Sequence, residues 1–190
     1  MNHFDLSLFI LFCFTVSGIA QVVWLKSESY KKYAYPVDFG KSLAAKRVFG
    51  ENKTYAAFLV MTPVSVLTFS MFGYLINNQI EVNFRYELDL INWCLLGLMG
   101  GLGFHLGELP NSFLKRRMNI KPGGVSKNPI LKNTFFIIDH IDSLMGSIVC
   151  MSLIIEFKTF DIVLLFILAP IIHWLFNVSL YLSGFKTQPR

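Results

Sequence analysis

The sequence predicts an all-α integral membrane protein with about five transmembrane helices. Of its 190 residues, 54% are hydrophobic and only 15% are charged, whereas soluble domains carry about a quarter charged residues. Its apolar residues form long runs, and its basic residues cluster between particular runs. This composition excludes a disordered chain. It also argues against nucleic acid as a partner, despite a net charge of +5.

Five apolar runs account for the predicted helices. A helix needs roughly 20 apolar residues to cross the hydrocarbon core of a bilayer, and the runs are residues 6–25, 55–79, 90–107, 134–157 and 162–185. Small residues at 18–20 resemble a signal-peptide cleavage site, but no basic residues precede the first run. Because a signal peptide has a basic n-region, we expect this helix to be retained. No internal repeat is visible, so residues 1–190 are expected to form a single transmembrane domain.

The distribution of charge orients these helices. Residues 26–54 carry seven Lys and Arg and residues 115–133 carry six, so thirteen of the seventeen lie in two alternate connections. Lys and Arg are enriched in the cytoplasmic loops of membrane proteins. We therefore expect two basic cytoplasmic loops, a cytoplasmic C-terminus and an N-terminus outside, in the cytoplasmic membrane.

Three carboxylates within or beside the apolar runs mark a candidate site. A charge at the centre of a membrane helix costs roughly 2.5–3.5 kcal/mol, so Glu108, Asp139 and Asp142 require partners. Asp139 and Asp142 are three residues apart and share a helix face, which Ser143 joins. Carboxylate and hydroxyl oxygens are ligands that Mg²⁺ prefers. For each carboxylate alone, neutralisation by loop arginines or headgroup water is the alternative.

A polar stripe follows the third run. It consists of Glu108, Ser112, Lys115 and Arg116, whose spacing aligns them if the helix continues. Arg can bind a phosphate through two hydrogen bonds, and Lys supplies a point charge. Anchoring to lipid headgroups is the alternative for the basic part of the stripe.

The first basic loop also has features of a binding site. Glycines, cations and short polar residues alternate with apolar ones in residues 35–54, which is typical of a folded loop whose backbone N–H groups bind phosphate. The loop lacks the Gly-Lys-Ser/Thr of a P-loop. In the last run, His173 and Asn177 lie one turn apart, as in a hydrogen bond between membrane helices. Together these features predict a site for a polyphosphate, Mg²⁺ and a lipid-borne partner at the membrane surface.

The ordered motifs resemble those of the CDP-archaeol synthase family, which is related to phosphatidate cytidylyltransferase. They comprise residues 36–41, 47–54, 107–108, 112–117 and 120–123, the Asp139-x-x-Asp142 pair, and His173-x-x-x-Asn177. The resemblance implies a CTP-dependent cytidylyltransferase that forms a CDP-activated lipid and pyrophosphate with Mg²⁺ as cofactor. The family substrate is 2,3-di-O-geranylgeranylglycerol 1-phosphate.

The resemblance also implies roles for individual residues. Asp139 and Asp142 would hold Mg²⁺, with Glu108 as a third contributor. The catalytic group would comprise both aspartates, Lys115 and Arg116. The residues expected to bind CTP or the lipid phosphate are Asp38, Lys41, Asn52, Lys53, Thr54, Ser112, Lys121, His173 and Asn177.

One departure from the family pattern keeps other functions open. The family usually has Arg-Gly where this chain has Ala56-Ala57, and a missing guanidinium would weaken CTP binding or turnover. The alternatives are a phosphatidate or other lipid-phosphate cytidylyltransferase, and a membrane protein that binds CTP or lipid phosphate with little or no turnover. A transporter is less consistent with the sequence, since common transporter folds contain repeats.

Overall fold

The computed structural model describes residues 4–79 and 88–182, without the side chains of residues 4, 5, 31, 79, 176, 177 and 180. Most of this chain is helical. In chain order, the elements are α1 (Phe4–Leu25), α2 (Glu28–Tyr33), β1 (Ser42–Leu43), β2 (Lys46–Arg47), α3 (Tyr55–Gln79), α4 (Leu90–Arg117), α5 (Pro129–Met151) and α6 (Thr159–Leu182).

Within residues 4–79 and 88–182, four helices are long and apolar enough to cross a membrane, namely the spans Leu6–Leu25, Tyr55–Asn78, Leu90–Arg117 and Pro129–Met151. The predicted all-α membrane fold is therefore confirmed. The fifth predicted span, residues 162–185, overlaps α6, which begins at Thr159, has 24 residues and is about 36 Å long at 1.5 Å per residue; residues 183–185 lie outside the described residues. Its apolar segment within the described residues, Thr159–Leu175, is shorter than the other four spans.

The helix boundaries follow the predictions closely in α3 and less closely in α5. Helix α3 covers the predicted residues 55–79, whereas α5 begins at Pro129 instead of 134 and ends at Met151 instead of 157. The Asn128 side chain accepts hydrogen bonds from the first turn of α5, and proline suits the first helical position. After Met151 the apolar run continues in turns, and Ile155 is still buried. The hydrophobicity of this part of the apolar run therefore reflects burial of side chains such as Ile155 in the core, and not helix formation.

The five long helices form a ring. Helix α4 packs between α3 and α5, α1 packs against α3, and α6 packs against both α5 and α1. Away from the basic loops, aromatic side chains fill the centre. Phe9 of α1 lies 5.5 Å from Phe69 and 5.1 Å from Trp93, measured between ring centroids.

Helix α4 approaches both of its neighbours through glycines. A Cβ on Gly103 would overlap the carbonyl oxygen of Gly146 in α5, and a Cβ on Gly97 would lie 2.6 Å from the carbonyl oxygen of Ser65 in α3. Small residues allow membrane helices to pack backbone against backbone. These contacts fix the position of α4 between its neighbours.

The basic segments pack together at one end of the ring, called the loop end here. Strands β1 and β2 form an antiparallel hairpin. The guanidinium of Arg117, at the end of α4, donates hydrogen bonds to the carbonyl oxygens of Leu43, Lys46 and Arg47 at 2.5, 2.9 and 2.6 Å. In return, the Lys46 ammonium donates to the Arg117 carbonyl oxygen at 2.8 Å. Arg117 thus holds the hairpin against the end of α4.

Candidate active site

A cavity of about 580 Å³ lies within the ring at the loop end. Small-molecule sites typically measure about 300–1,000 Å³. Polar groups line the side formed by the first loop, α4, α5 and α6, and they include Asn52, Lys53, Thr54, His105, Glu108, Asp139, His140, Ser143 and His173. The remaining wall is mainly apolar and includes Leu11, Phe14, Met61, Phe104, Leu144 and Ile172, with Thr15, Gln21, Tyr30 and Ser147 among them. The cavity therefore combines an ionic region with an apolar region inside the membrane-spanning bundle.

Asp38 organises the first loop from within. Its carboxylate accepts hydrogen bonds from the backbone N–H groups of Gly40, Phe49 and Gly50, each at 3.0 Å, and from Arg47 at 2.7 and 3.3 Å. Burial acts to raise the pKa of Asp38, but these hydrogen bonds outweigh burial and hold the pKa well below its usual range. Asp38 shapes the loop that carries the cavity-lining residues and does not itself line the cavity.

A short backbone ribbon brings Lys53 and Thr54 to the cavity. The Val37 N–H donates to the Lys53 carbonyl oxygen at 2.8 Å, and the Tyr55 N–H donates to the Tyr35 carbonyl oxygen at 3.0 Å. Thr54 is almost fully buried, and both Lys53 and Thr54 line the cavity. The predicted folded loop is present, and it uses main-chain pairing to direct these two side chains.

Glu108 connects the first loop to α4 and α5. It forms an ion pair with Lys53 and accepts a hydrogen bond from the Ser143 hydroxyl at 3.1 Å. The Nδ1 atom of His105, one turn earlier in α4, lies 3.8 Å from the Glu108 carboxylate. The Nε2 atom of His105 lies 3.1 Å from the carbonyl oxygen of Ala57. A carboxylate within a membrane-spanning helix thereby obtains the partners that its burial requires.

The acidic pair of α5 meets α4 through Asn111, a residue that the sequence analysis missed. The Asn111 amide nitrogen donates to Asp139 at 2.7 Å and to Asp142 at 2.6 Å. Lys115 forms an ion pair with Asp139. The signal in the sequence was spacing, because Glu108, Asn111 and Lys115 follow one another at intervals of three and four residues and lie on one face of α4.

The residues around the acidic pair fit a hard divalent cation. The oxygen of the Asn111 amide is buried and has no hydrogen-bond partner in the part of the chain that the structure describes. Asp139 and Asp142 supply carboxylate oxygens, which are ligands that Mg²⁺ prefers, and the Asn111 amide turns its nitrogen toward both of them. Glu108 does not join the aspartates in one cluster, and residues 4–79 and 88–182 contain no group of three or more His, Cys, Asp or Glu side chains placed to hold a metal. Ser143 instead links Glu108 to Asp142 through hydrogen bonds of 3.1 and 3.2 Å.

Arg116 lies where the two basic loops meet. The residue is 8% exposed, and a Cβ added to Gly50 would lie 3.8 Å from the Arg116 Cδ and 2.9 Å from the ring of Pro122. Among the described residues, the Nη1 atom of Arg116 has no hydrogen-bond partner. Ser112, one turn earlier, is also buried. Neither side chain lines the cavity.

The remaining predicted residues are less closely grouped. Lys41 and Lys121 are exposed on the two loops and do not line the cavity. His173 lines the cavity, and its ring lies 5.2 Å from that of His140 in α5. The side chain of Asn177 lies outside the described residues, so its role stays a prediction.

Comparison with known proteins identifies the family. A family model described as CarS-like CDP-archaeol synthase matches residues 8–189. The chain belongs to this family. The CDP-archaeol synthase of Thermofilum pendens is 28% identical to this chain over 176 residues, covering 92% of this chain and 75% of that protein. The CDP-archaeol synthase of Pyrococcus furiosus is 28% identical over 155 residues, covering 81% and 83% of the two chains.

A solved structure supports the fold assignment. It is described as an intramembrane enzyme for archaeal membrane lipids biosynthesis, and it matches with a TM-score of 0.59 and 19% identity over 90% of this chain and 91% of that chain. At this identity the likeness shows a shared fold. Membership of the family confirms the resemblance identified from the motifs and the enzyme class that it implies, a CTP-dependent cytidylyltransferase.

Proposed function

We propose that this protein transfers the cytidylyl group of CTP to the phosphate of a membrane lipid, leaving a CDP-activated lipid and releasing pyrophosphate. The observation that carries the proposal is a single cavity with ionic groups on one side and apolar walls on the other. Such a cavity would hold the reacting phosphates beside Lys53 and Asp139 while the apolar part of the lipid remains among the helices. Because the curated relatives are CDP-archaeol synthases, the proposed substrate is 2,3-di-O-geranylgeranylglycerol 1-phosphate.

The reaction depends on positioning and charge neutralisation. An oxygen of the lipid phosphate attacks the α-phosphorus of CTP and forms a new P–O bond. The bond from the α-phosphorus to the oxygen bridging the β-phosphorus breaks, and pyrophosphate leaves with that electron pair. Since the attacking oxygen is already anionic, no side chain has to remove a proton from it. Preorganised cations stabilise the charge that develops on the phosphoryl oxygens.

Two lysines are placed to serve this purpose. Lys53 pairs with Glu108, and Lys115 pairs with Asp139. An ammonium group has three N–H donors, so each lysine can bind a phosphate oxygen and keep its carboxylate partner. We assign Lys53, with Asn52 and Thr54, to the phosphates of CTP.

The proposed metal ligands are Asp139 and Asp142. Mg²⁺ bound there would polarise a phosphoryl oxygen as a Lewis acid. Glu108 remains the third candidate carboxylate, and its hydrogen bond with Ser143 keeps it beside the aspartates. Lys115 would offset the negative charge of Asp139 whether or not the cation is bound.

We further propose that residues 1–190 act as one domain whose loop end faces the cytoplasm. Thirteen of the seventeen Lys and Arg lie in the two connections at that end, and such an excess is typical of the cytoplasmic side. This orientation would give the polar side of the cavity direct access to cytoplasmic CTP.

An assay with purified protein tests the reaction and the substrate together. The protein is reconstituted in bilayers and incubated with labelled CTP, Mg²⁺ and either the geranylgeranyl ether phosphate or a diacyl phosphatidate. We expect CDP-lipid and pyrophosphate in equal amounts, formed with the ether phosphate. A product with phosphatidate alone would contradict the proposed substrate. Retained CTP binding without product from either lipid would contradict the proposed activity and support a binding protein.

A further inference from the structure

A second pocket lies on the outside of the bundle, between the first loop and the neighbouring ends of α1 and α3. It has a volume of about 510 Å³. Five of its eight lining side chains are aromatic, namely Trp24, Tyr33, Tyr35, Phe39 and Tyr55. The proposed reaction uses none of these side chains.

We propose that this outer pocket binds the apolar chain of a bilayer lipid whose anionic headgroup lies against Lys32. The walls of the pocket decide the nature of the occupant. Trp24 belongs to the span Leu6–Leu25, and Leu59 and Val60 belong to the span Tyr55–Asn78. Leu59 is 73% exposed in the folded chain, so lipid chains surround this part of α3 in a membrane. The pocket is continuous with that lipid-facing surface.

The loop side of the pocket has the chemistry of a membrane interface. Tyr35 and Phe39 are 64% and 69% exposed, and aromatic side chains are enriched at the level of the headgroups. Phe39 packs on Tyr55 with ring centroids 5.2 Å apart. A lipid chain between these rings and α3 would cover apolar surface that is otherwise exposed to water at the edge of the bilayer.

A cation at the rim favours an anionic headgroup. Lys32 is exposed, and its ammonium lies 5.6 Å from the centroid of the Tyr33 ring. Juxtamembrane cations attract anionic lipids at the membrane surface. The chain and the headgroup of one lipid would therefore occupy adjoining parts of the same site.

The small side chain of Ala56 leaves the outer pocket open. The residue is 3% exposed and faces the outer pocket, whereas Ala57 lines the inner cavity. A methyl group at position 56 leaves space between Tyr55 and Val60.

The outer pocket shares a backbone ribbon with the inner cavity. Tyr35 and Tyr55 line the pocket, and their backbones are hydrogen-bonded next to Lys53 and Thr54, which line the cavity. A bound lipid would therefore hold Lys53 and Thr54 in place and lower the KM for CTP. Only this last consequence rests on the proposed function, because lipid binding itself does not require turnover.

Trp24 provides a direct probe of occupancy. Trp93 is fully buried and Trp174 is 51% exposed, so Trp174→Phe removes the other lipid-accessible indole in the described residues. The protein is placed in bilayers that contain either brominated phosphatidylglycerol or brominated phosphatidylcholine at the same mole fraction. Fluorescence of a matching protein that also carries Trp24→Phe is subtracted, which isolates the quenching of Trp24.

We expect the anionic brominated lipid to quench Trp24 at least twofold more strongly than the zwitterionic one. Lys32→Gln should remove this preference, Phe39→Ala should reduce quenching by both lipids, and the exposed control Ile130→Ala should change neither. Equal quenching by the two lipids, or quenching unchanged in both pocket variants, would overturn the proposal. If the preference is present but phosphatidylglycerol leaves the KM for CTP unchanged, lipid binding stands and the link to the cavity is overturned.

Discussion

Helix α4 consists of two halves with opposite character, and the contrast shows how a small membrane protein can contain charged groups. From Leu90 to Gly107 the helix is apolar and packs backbone against backbone with α3 and α5 through glycines. From Glu108 to Arg117 it carries an acid, an amide, a hydroxyl and three cations. The glycine half sets the distance between α4 and α5. That distance brings Asn111 within hydrogen-bond reach of both aspartates.

The basic side chains at the loop end fall into two groups according to their partners. Arg47 and Arg117 bind groups of the first loop, namely the Asp38 carboxylate and three hairpin carbonyl oxygens. Lys53 and Lys115 instead bind the carboxylates beside the cavity. The first group holds the loop in its fold, and the second neutralises the Glu108 and Asp139 carboxylates. A count of basic residues alone does not distinguish these roles.

We expect the largest loss of stability from a substitution in the glycine half of α4, residues 90–107. Gly103→Leu would force α4 and α5 apart because even a Cβ overlaps the Gly146 carbonyl oxygen, and we expect a loss of more than about 4 kcal/mol of stability. Thermal unfolding in detergent, followed by size-exclusion chromatography, measures this loss. Gly18→Leu is the control, since a Cβ there meets no atom within 4 Å. Equal melting temperatures for the two variants would contradict the close packing of α4.

The next largest effect is expected from breaking the ion pair between Glu108, in the polar half of α4, and Lys53 of the first loop. Glu108→Gln leaves the Lys53 ammonium without its carboxylate, and we expect the KM for CTP to rise roughly 10- to 100-fold, as for a hydrogen bond to a charged group. Steady-state kinetics with CTP give KM and kcat separately. Glu51→Gln is the matched control because the Glu51 side chain is 77% exposed. If both variants have wild-type KM values, Glu108 does not position Lys53.

Replacing Arg117 tests the cations that hold the loop. Arg117→Lys keeps the charge but loses the planar group that binds three carbonyl oxygens, so we expect amide exchange in the hairpin, residues 42–47, to accelerate about tenfold. Exchange in α4 and α5 should not change. Hydrogen-exchange mass spectrometry measures both regions in one experiment. Acceleration throughout the helices would mean that Arg117 stabilises the whole fold and not the hairpin alone.

The smallest effect concerns the pH dependence of the first loop. Because hydrogen bonds hold the pKa of Asp38 well below its usual range, its contribution to stability is present above the unfolded value of about 3.9. The contribution is lost as pH falls toward the folded pKa. Asp38→Asn should therefore destabilise the loop at pH 7, and the difference from wild type should narrow below about pH 4. Unfolding midpoints from pH 7 to pH 3 measure this difference, and a constant difference would contradict the assignment.

The sequence predicted the structure best where a single property, such as hydrophobicity or residue spacing, determined the result. A continuous apolar run predicted both ends of α3, and the spacing of Asp139 and Asp142 predicted their common face. The end of α5 was predicted incorrectly because hydrophobicity records burial, and Ile154, Ile155 and Phe157 pack in or against the core without being helical. Asn111 was missed because an uncharged amide gives little signal, and its role depends on how α4 meets α5. The contacts of Asp38 with Phe49 and Gly50 likewise arise only when the loop closes on itself.

The acidic pair of α5, which Asn111 bridges, is proposed to carry metal-dependent cytidylyl transfer. The most direct test is the initial rate of CDP-lipid formation during a Mg²⁺ titration of wild-type protein and Asp142→Asn, with melting temperatures measured for both. We predict that wild type gains activity with Mg²⁺ and that Asp142→Asn stays folded and shows no turnover at any Mg²⁺ concentration. Turnover by Asp142→Asn with the Mg²⁺ dependence of wild type would contradict the claim.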